Sequence, residues 1–157
     1  MDERLLNVNR YGVLQPTGSF WLACLILIRF QLFVLFALVA ARKLASVMHV
    51  FDSGVPWFAM AAELPAMLLI LVAGRRQPDA GNIFRFLWRN GKWLILITVL
   101  GHLLWAAFYF VGYDGFFDKA DLIVLCFVVL DLALLSSFLT SDYYRQLFSE
   151  FPGRKSV

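Results

Sequence analysis

Four apolar runs, Phe20 to Ala41, Val55 to Ala73, Trp93 to Val111 and Lys119 to Thr140, constrain what this 157-residue chain can fold into. Each is about 19 to 22 residues long, and a helix of about 20 residues crosses the hydrocarbon core of a bilayer. The chain is 61% hydrophobic and 16% charged, whereas soluble domains lie nearer half apolar and a quarter charged. The reading is a single all-α transmembrane domain over residues 1–157. Its four helices span approximately 20–41, 55–73, 93–111 and 119–140 and form an antiparallel bundle with short loops. Pro65 lies inside the second run, where neighbouring helices can re-satisfy the carbonyl that a proline frees. Barrel strands would read as alternating segments of about ten residues, a pattern absent here. A cleaved signal peptide is not expected. The first run is too long for an h-region, contains Arg29 and follows a polar stretch.

Orientation follows from the cations. The N-terminal segment, the loop between the second and third runs, and the tail carry ten Lys and Arg between them. The two opposite loops carry Arg42, Lys43 and Lys119. The positive-inside rule then places both termini in the cytoplasm. The net charge of +3 reflects that surface and is no warrant for nucleic-acid binding. Cys24 and Cys126 both fall inside apolar runs at different depths. They are read as small buried hydrophobes rather than as a disulfide.

Between the second and third runs, DAGNIFRFLWRNGK places Arg85, Arg89 and Lys92 within about 60° of a helical wheel. Ile83, Phe84, Phe86, Leu87 and Trp88 fill the remainder. Such a basic amphipathic segment suits an interfacial helix facing anionic headgroups, as an anchor or as a dock for lipid or a partner. After the fourth run, Ser141-Asp142 starts a second short helix with Tyr144, Leu147, Phe148 and Phe151 on one side, stopped by Pro152-Gly153. It too reads as interfacial. Leu44, Val47, Met48 and Phe51 recur at helical spacing in one outer loop, and GYDGFFD from Gly112 forms a second, tight one.

Each apolar run carries one ionisable residue near its middle: Arg29, Glu63, His102 and Asp131. Counted from the expected cytoplasmic ends, each lies about nine or ten residues in, or roughly 14 to 15 Å at 1.5 Å per residue. That is close to the midplane of a core about 30 Å thick. Insertion of Arg or Asp at a helix centre costs about 2.5 to 3.5 kcal/mol, so these groups are expected to face inward and meet one another. Arg29 has a second option, since its long side chain can snorkel toward the interface. Three readings stay open. The layer is a buried network that sets helix register, a proton- or ion-coupled relay, or a surface that pairs with another subunit.

No phosphate-binding glycine loop, His-x-x-x-His or Ser/His/Asp set is present. Haem between helices would need a second intramembrane His. His102, Glu63 and Asp131 number enough for zinc, but Arg29 among them opposes a cation. No cofactor, metal or enzymatic activity is expected.

Tyr11-Gly12-Val13-Leu14-Gln15-Pro16, followed by Phe20-Trp21 and Arg29, resembles the start of the YfeZ-like family of small gammaproteobacterial inner-membrane proteins, a domain of unknown function. Members of that family pair a tyrosine, a Gly-x-Leu-x-Pro step, an aromatic helix start and an Arg in the first helix. The resemblance implies only a bacterial inner-membrane location, since no activity is established for that family to carry over. The leading expectation is therefore a non-enzymatic accessory or structural membrane protein, working as a homo-oligomer or with a membrane-protein partner. The alternative is a small oligomeric proton-coupled transporter or channel using Glu63, His102 and Asp131.

Overall fold

The computed structural model describes Val8 and residues 13–40, 55–111 and 119–152. In chain order the helices are α1 (Gly18–Leu27), α2 (Arg29–Ala40), α3 (Val55–Ala62), α4 (Leu64–Gly74), α5 (Asn82–Arg89), α6 (Gly91–Val111), α7 (Lys119–Thr140) and α8 (Asp142–Ser149). Among the described residues, β structure is limited to an isolated antiparallel bridge between Val8 and Leu14. The two outer loops, including His49, lie outside the described residues.

Among the described residues, three stretches are long and apolar enough to cross a membrane: Trp57–Gly74, Gly91–Val111 and Asp121–Thr140. A fourth crossing exists if α1 and α2 are taken together, although they meet at an angle of 73°. These are the helices of a membrane protein, and their outer surfaces agree. Phe33, Phe36, Val39, Leu71, Phe108 and Val129 are all exposed, and large exposed apolar side chains in such number mark a surface that meets lipid or protein.

The first predicted helix, read over 20–41, is thus corrected to two segments broken at Ile28, whose φ of -106° and ψ of 25° leave the helical region. No glycine or proline lies near the break, so its cause is not local. The second run is also interrupted, at Glu63, and here the cause is local. Pro65 occupies the first turn of α4 and brings no backbone N–H to the carbonyl four residues earlier. The chain tightens there, with the Glu63 N–H donating to Met60 O at 3.2 Å.

α6 is the hub, packing against α3, α4, α5 and α7. Its approach to α3 is close. A Cβ placed on Gly101 would lie 2.5 Å from Ala62 Cβ, so only a bare backbone fits. At one end of the bundle, Phe20, Trp88, Phe138 and Phe148 form a stacked aromatic core with edge and tilted contacts.

Two expectations about the surface segments change. The wheel for residues 79–92 assumed one continuous helix, but α5 ends at Arg89 and Asn90 caps it. Arg85 and Arg89 share α5, while Lys92 belongs to α6. Gly91, the first residue of α6, sits against the Phe148 ring, which an added Cβ would approach to 2.3 Å. The helix after α7 is not interfacial on its apolar side either. Tyr144, Leu147 and Phe148 of α8 are buried against the protein. Cys24 is buried as expected, whereas Cys126 is exposed on α7; both are free thiols.

Candidate functional site

The four ionisable residues of the apolar runs come together. Arg29 opens α2 immediately after the break, Glu63 sits between α3 and α4, His102 is central in α6, and Asp131 is central in α7. The Arg29 guanidinium grips Asp131 with both arms, Nη1 to Oδ1 at 2.7 Å and Nη2 to Oδ2 at 2.9 Å. This bidentate geometry is the strongest form of such a pair. Arg29 does not snorkel. Its guanidinium is covered by the Phe127 ring, 4.6 Å from the centroid, and flanked by Phe30 at 5.2 Å.

Asp131 Oδ2 also faces His102 Nδ1 at 3.0 Å. A carboxylate clamped by Arg is an acceptor only, so Nδ1 carries the hydrogen and donates. The other ring nitrogen, Nε2, then points at Glu63 Oε1 from 3.6 Å and has no hydrogen-bond partner. Glu63, His102 and Asp131 are all buried.

Glu63 does something that charge counting alone does not suggest. Its Oε1 accepts the Phe30 backbone N–H at 2.8 Å and its Oε2 accepts that of Gln31 at 2.9 Å. These are first-turn donors of α2, left without intrahelical acceptors by the break at Ile28. Glu63 therefore caps α2 from a different helix, and its charge meets the positive end of the α2 dipole. The favour is returned by Gln31, whose Nε2 donates to Met60 O at 3.1 Å, beside the α3–α4 break. Two interrupted helices are clasped through each other's exposed backbone.

A proton on His102 Nε2 would set two cations against two carboxylates. Without it, the negative charge of Glu63 is met only by the backbone of α2. Along the same face of α6 lie Thr98 and Trp105, both buried, whose Oγ1 and Nε1 have no partner. One turn further, Tyr109 donates to Asp121 Oδ1 at 3.1 Å, and Asp121 is fully buried. Among the described residues no group of His, Cys, Asp and Glu has the arrangement of a metal site.

Sequence reasoning found the four charges but missed Gln31, Thr98 and Asp121. Gln31 carried a visible signal, being a second polar residue two positions from Arg29 in an apolar run. Asp121 was hidden by its place at a helix start, where an acid ordinarily faces water.

A second polar assembly ties the segment before α1 to the end of the bundle. Glu150 Oε2 accepts the Leu14 N–H at 2.8 Å. Arg76 donates to the Leu14 carbonyl and, at 2.6 Å, to that of Glu150. The Tyr143 hydroxyl donates to Gln15 O at 2.5 Å and accepts from the Thr17 N–H at 3.2 Å. Arg76 also lies 4.6 Å over the Trp88 ring, and the Trp88 indole donates to Leu147 O at 2.8 Å. Burial lowers the Arg76 pKa to about 10, against the opposing pull of Glu150 and Tyr143. The guanidinium thus stays charged at neutral pH. Leu14, Gln15 and the helix start that follows Pro16 are held by this assembly.

A family model described as protein of unknown function (DUF2919) matches residues 5–150. The chain belongs to that family. No curated protein and no solved structure matches it.

Proposed function

We propose that this DUF2919 member is a non-enzymatic structural or accessory protein of the bacterial inner membrane, crossing it four times with both termini in the cytoplasm. The bent α1–α2 pair counts as one crossing in this reading, and the four crossings form the antiparallel bundle. The YfeZ-like, gammaproteobacterial affinity rests on the residues Tyr11 to Arg29 named above. One observation carries the functional reading: the polar groups of Arg29, Asp131, His102 and Glu63 turn toward one another and onto the backbone at the helix breaks. Groups employed this way hold a membrane fold together, and the exposed apolar flanks are left for lipid or for another subunit.

The unpartnered His102 Nε2 favours a second reading, an oligomeric proton-coupled transporter or channel. Interrupted helices carrying a buried His and carboxylates recur at the coupling sites of transporters. Reconstituted Asp131→Asn protein separates the two. In the structural reading the variant melts at a lower temperature in detergent and proton flux in proteoliposomes does not depend on Asp131. Flux that is present in the parent and lost in a variant retaining its helical content would overturn that reading in favour of the relay. A co-purifying protein lost on Asp131→Ala would instead place the cluster at a subunit contact.

A further inference from the structure

α5 connects two candidate membrane crossings, Trp57–Gly74 and Gly91–Val111. The connection is short, so α5 must lie at the membrane surface wherever those helices emerge. One side of it is committed to the protein. Trp88 is buried, and Phe84 and Leu87 pack partly against the same core. The other side lines an open groove of about 620 Å³ formed by Asn82, Arg85, Phe86, Arg89 and Asn90. At 100° per residue these five occupy one continuous arc, centred opposite the face that Phe84, Leu87 and Trp88 turn to the core. The groove has two guanidinium groups, two amides and no carboxylate among its lining residues.

Two features give it a polarity. Arg85 is held in place, with Nη2 donating to Pro78 O at 2.8 Å and its guanidinium 5.6 Å from the Phe151 ring centroid. Arg89 is exposed on the next turn. Phe86, within the groove, is 66% exposed, and Ile83, three residues before it on α5, is 73% exposed. A soluble anion has no use for two large apolar side chains at the rim. A phosphate carrying acyl chains uses both, with the phosphate on the arginines and the chains along Phe86 and Ile83.

We propose that this groove is a binding site for the headgroup phosphate of an anionic phospholipid, gripped by Arg85 and Arg89 with the Asn82 and Asn90 amides beside it. Guanidinium suits the task better than ammonium, because its planar fork meets two phosphate oxygens at once. The site is independent of the cluster around Glu63 and of the function assigned to it.

The test uses the full chain in nanodiscs of phosphatidylcholine into which phosphatidylglycerol is titrated, with bound lipid counted by native mass spectrometry. Phosphatidylglycerol is expected to be retained in preference to phosphatidylcholine. Arg89→Gln, which breaks no contact described above, should weaken that retention about fivefold, the effect of one basic residue at an anionic surface. Arg85→Gln/Arg89→Gln should abolish the preference, and Arg89→Lys should recover it only in part. Equal retention of the two lipids, or an unchanged preference in Arg89→Gln protein of parental melting temperature, overturns the proposal. Displacement of phosphatidylglycerol by millimolar glycerol phosphate also overturns it, by identifying a site for a soluble phosphate.

Discussion

At the scale of single residues, Glu63 is the group on which most depends. A buried carboxylate usually draws its stability from a cation, yet the nearest contacts of Glu63 are two backbone N–H groups of α2. Removing the carboxylate strands both donors in a buried site, at about 1 to 3 kcal/mol for each buried group left unmet. Glu63→Ala should therefore destabilise the protein by about 4 kcal/mol, at the middle of the range for two such groups. Glu63→Gln should lose less, since an amide oxygen still accepts one of the two. Denaturant unfolding of the two variants in the same detergent checks the order, and equal losses would show that the cap is not what Glu63 contributes. The sequence marked Glu63 as important because a charge in an apolar run needs a reason. It could not say that the reason was a helix end thirty-odd positions away.

At the scale of elements, the legible and illegible features divide by whether their cause is local. The α3–α4 interruption follows from Pro65, a backbone effect that can be read from one residue. The α1–α2 break at Ile28 has no such marker in ILIRFQ, and its freed Phe30 and Gln31 N–H groups are met from outside, by the Glu63 carboxylate. The short helix α8 shows the same limit. Its apolar side was visible, but burial against Phe20, Trp88 and Phe138 rather than in lipid depends on where those rings lie. Helix proximity is equally a tertiary property, and it rests on one glycine. Gly101→Ala places a Cβ 2.5 Å from that of Ala62, separating α6 from α3 beside His102 and Glu63. The expected loss is about 1 to 3 kcal/mol, typical of overpacking. Ala62→Gly in the same chain should restore most of it. A double variant that melts no higher than Gly101→Ala alone would rule out the Ala62 contact as the cause.

For the whole molecule, the distribution of cations and the packing of the two polar assemblies make separate statements. The ten Lys and Arg of the N-terminal segment, central loop and tail should hold those segments on the cytoplasmic side, because translocating them opposes the positive-inside bias. A fluorescent reporter that folds only in the cytoplasm should be bright when fused after Val157. A periplasm-specific enzyme at the same position should be inactive, and the reverse pattern would invert the topology. In the proposed topology the assembly of Arg76, Glu150 and Tyr143 lies at the cytoplasmic end; it anchors Leu14 and Thr17 at the entrance to α1.

The sequence by itself determined the class of molecule, the extent of the apolar helices and the four charges within them. Hydrophobic length and the cost of burying charge are properties of composition and spacing, and they act whatever the neighbours are. Only the tertiary structure decided how those charges are used. Arg29 takes Asp131, Asp131 orients His102, and Glu63 leaves the ion pair to Arg29 and Asp131 and caps a helix that breaks to receive it. Hydrogen bonds reach only about 3 Å and require aligned partners, so which groups meet is settled by how the helices pack.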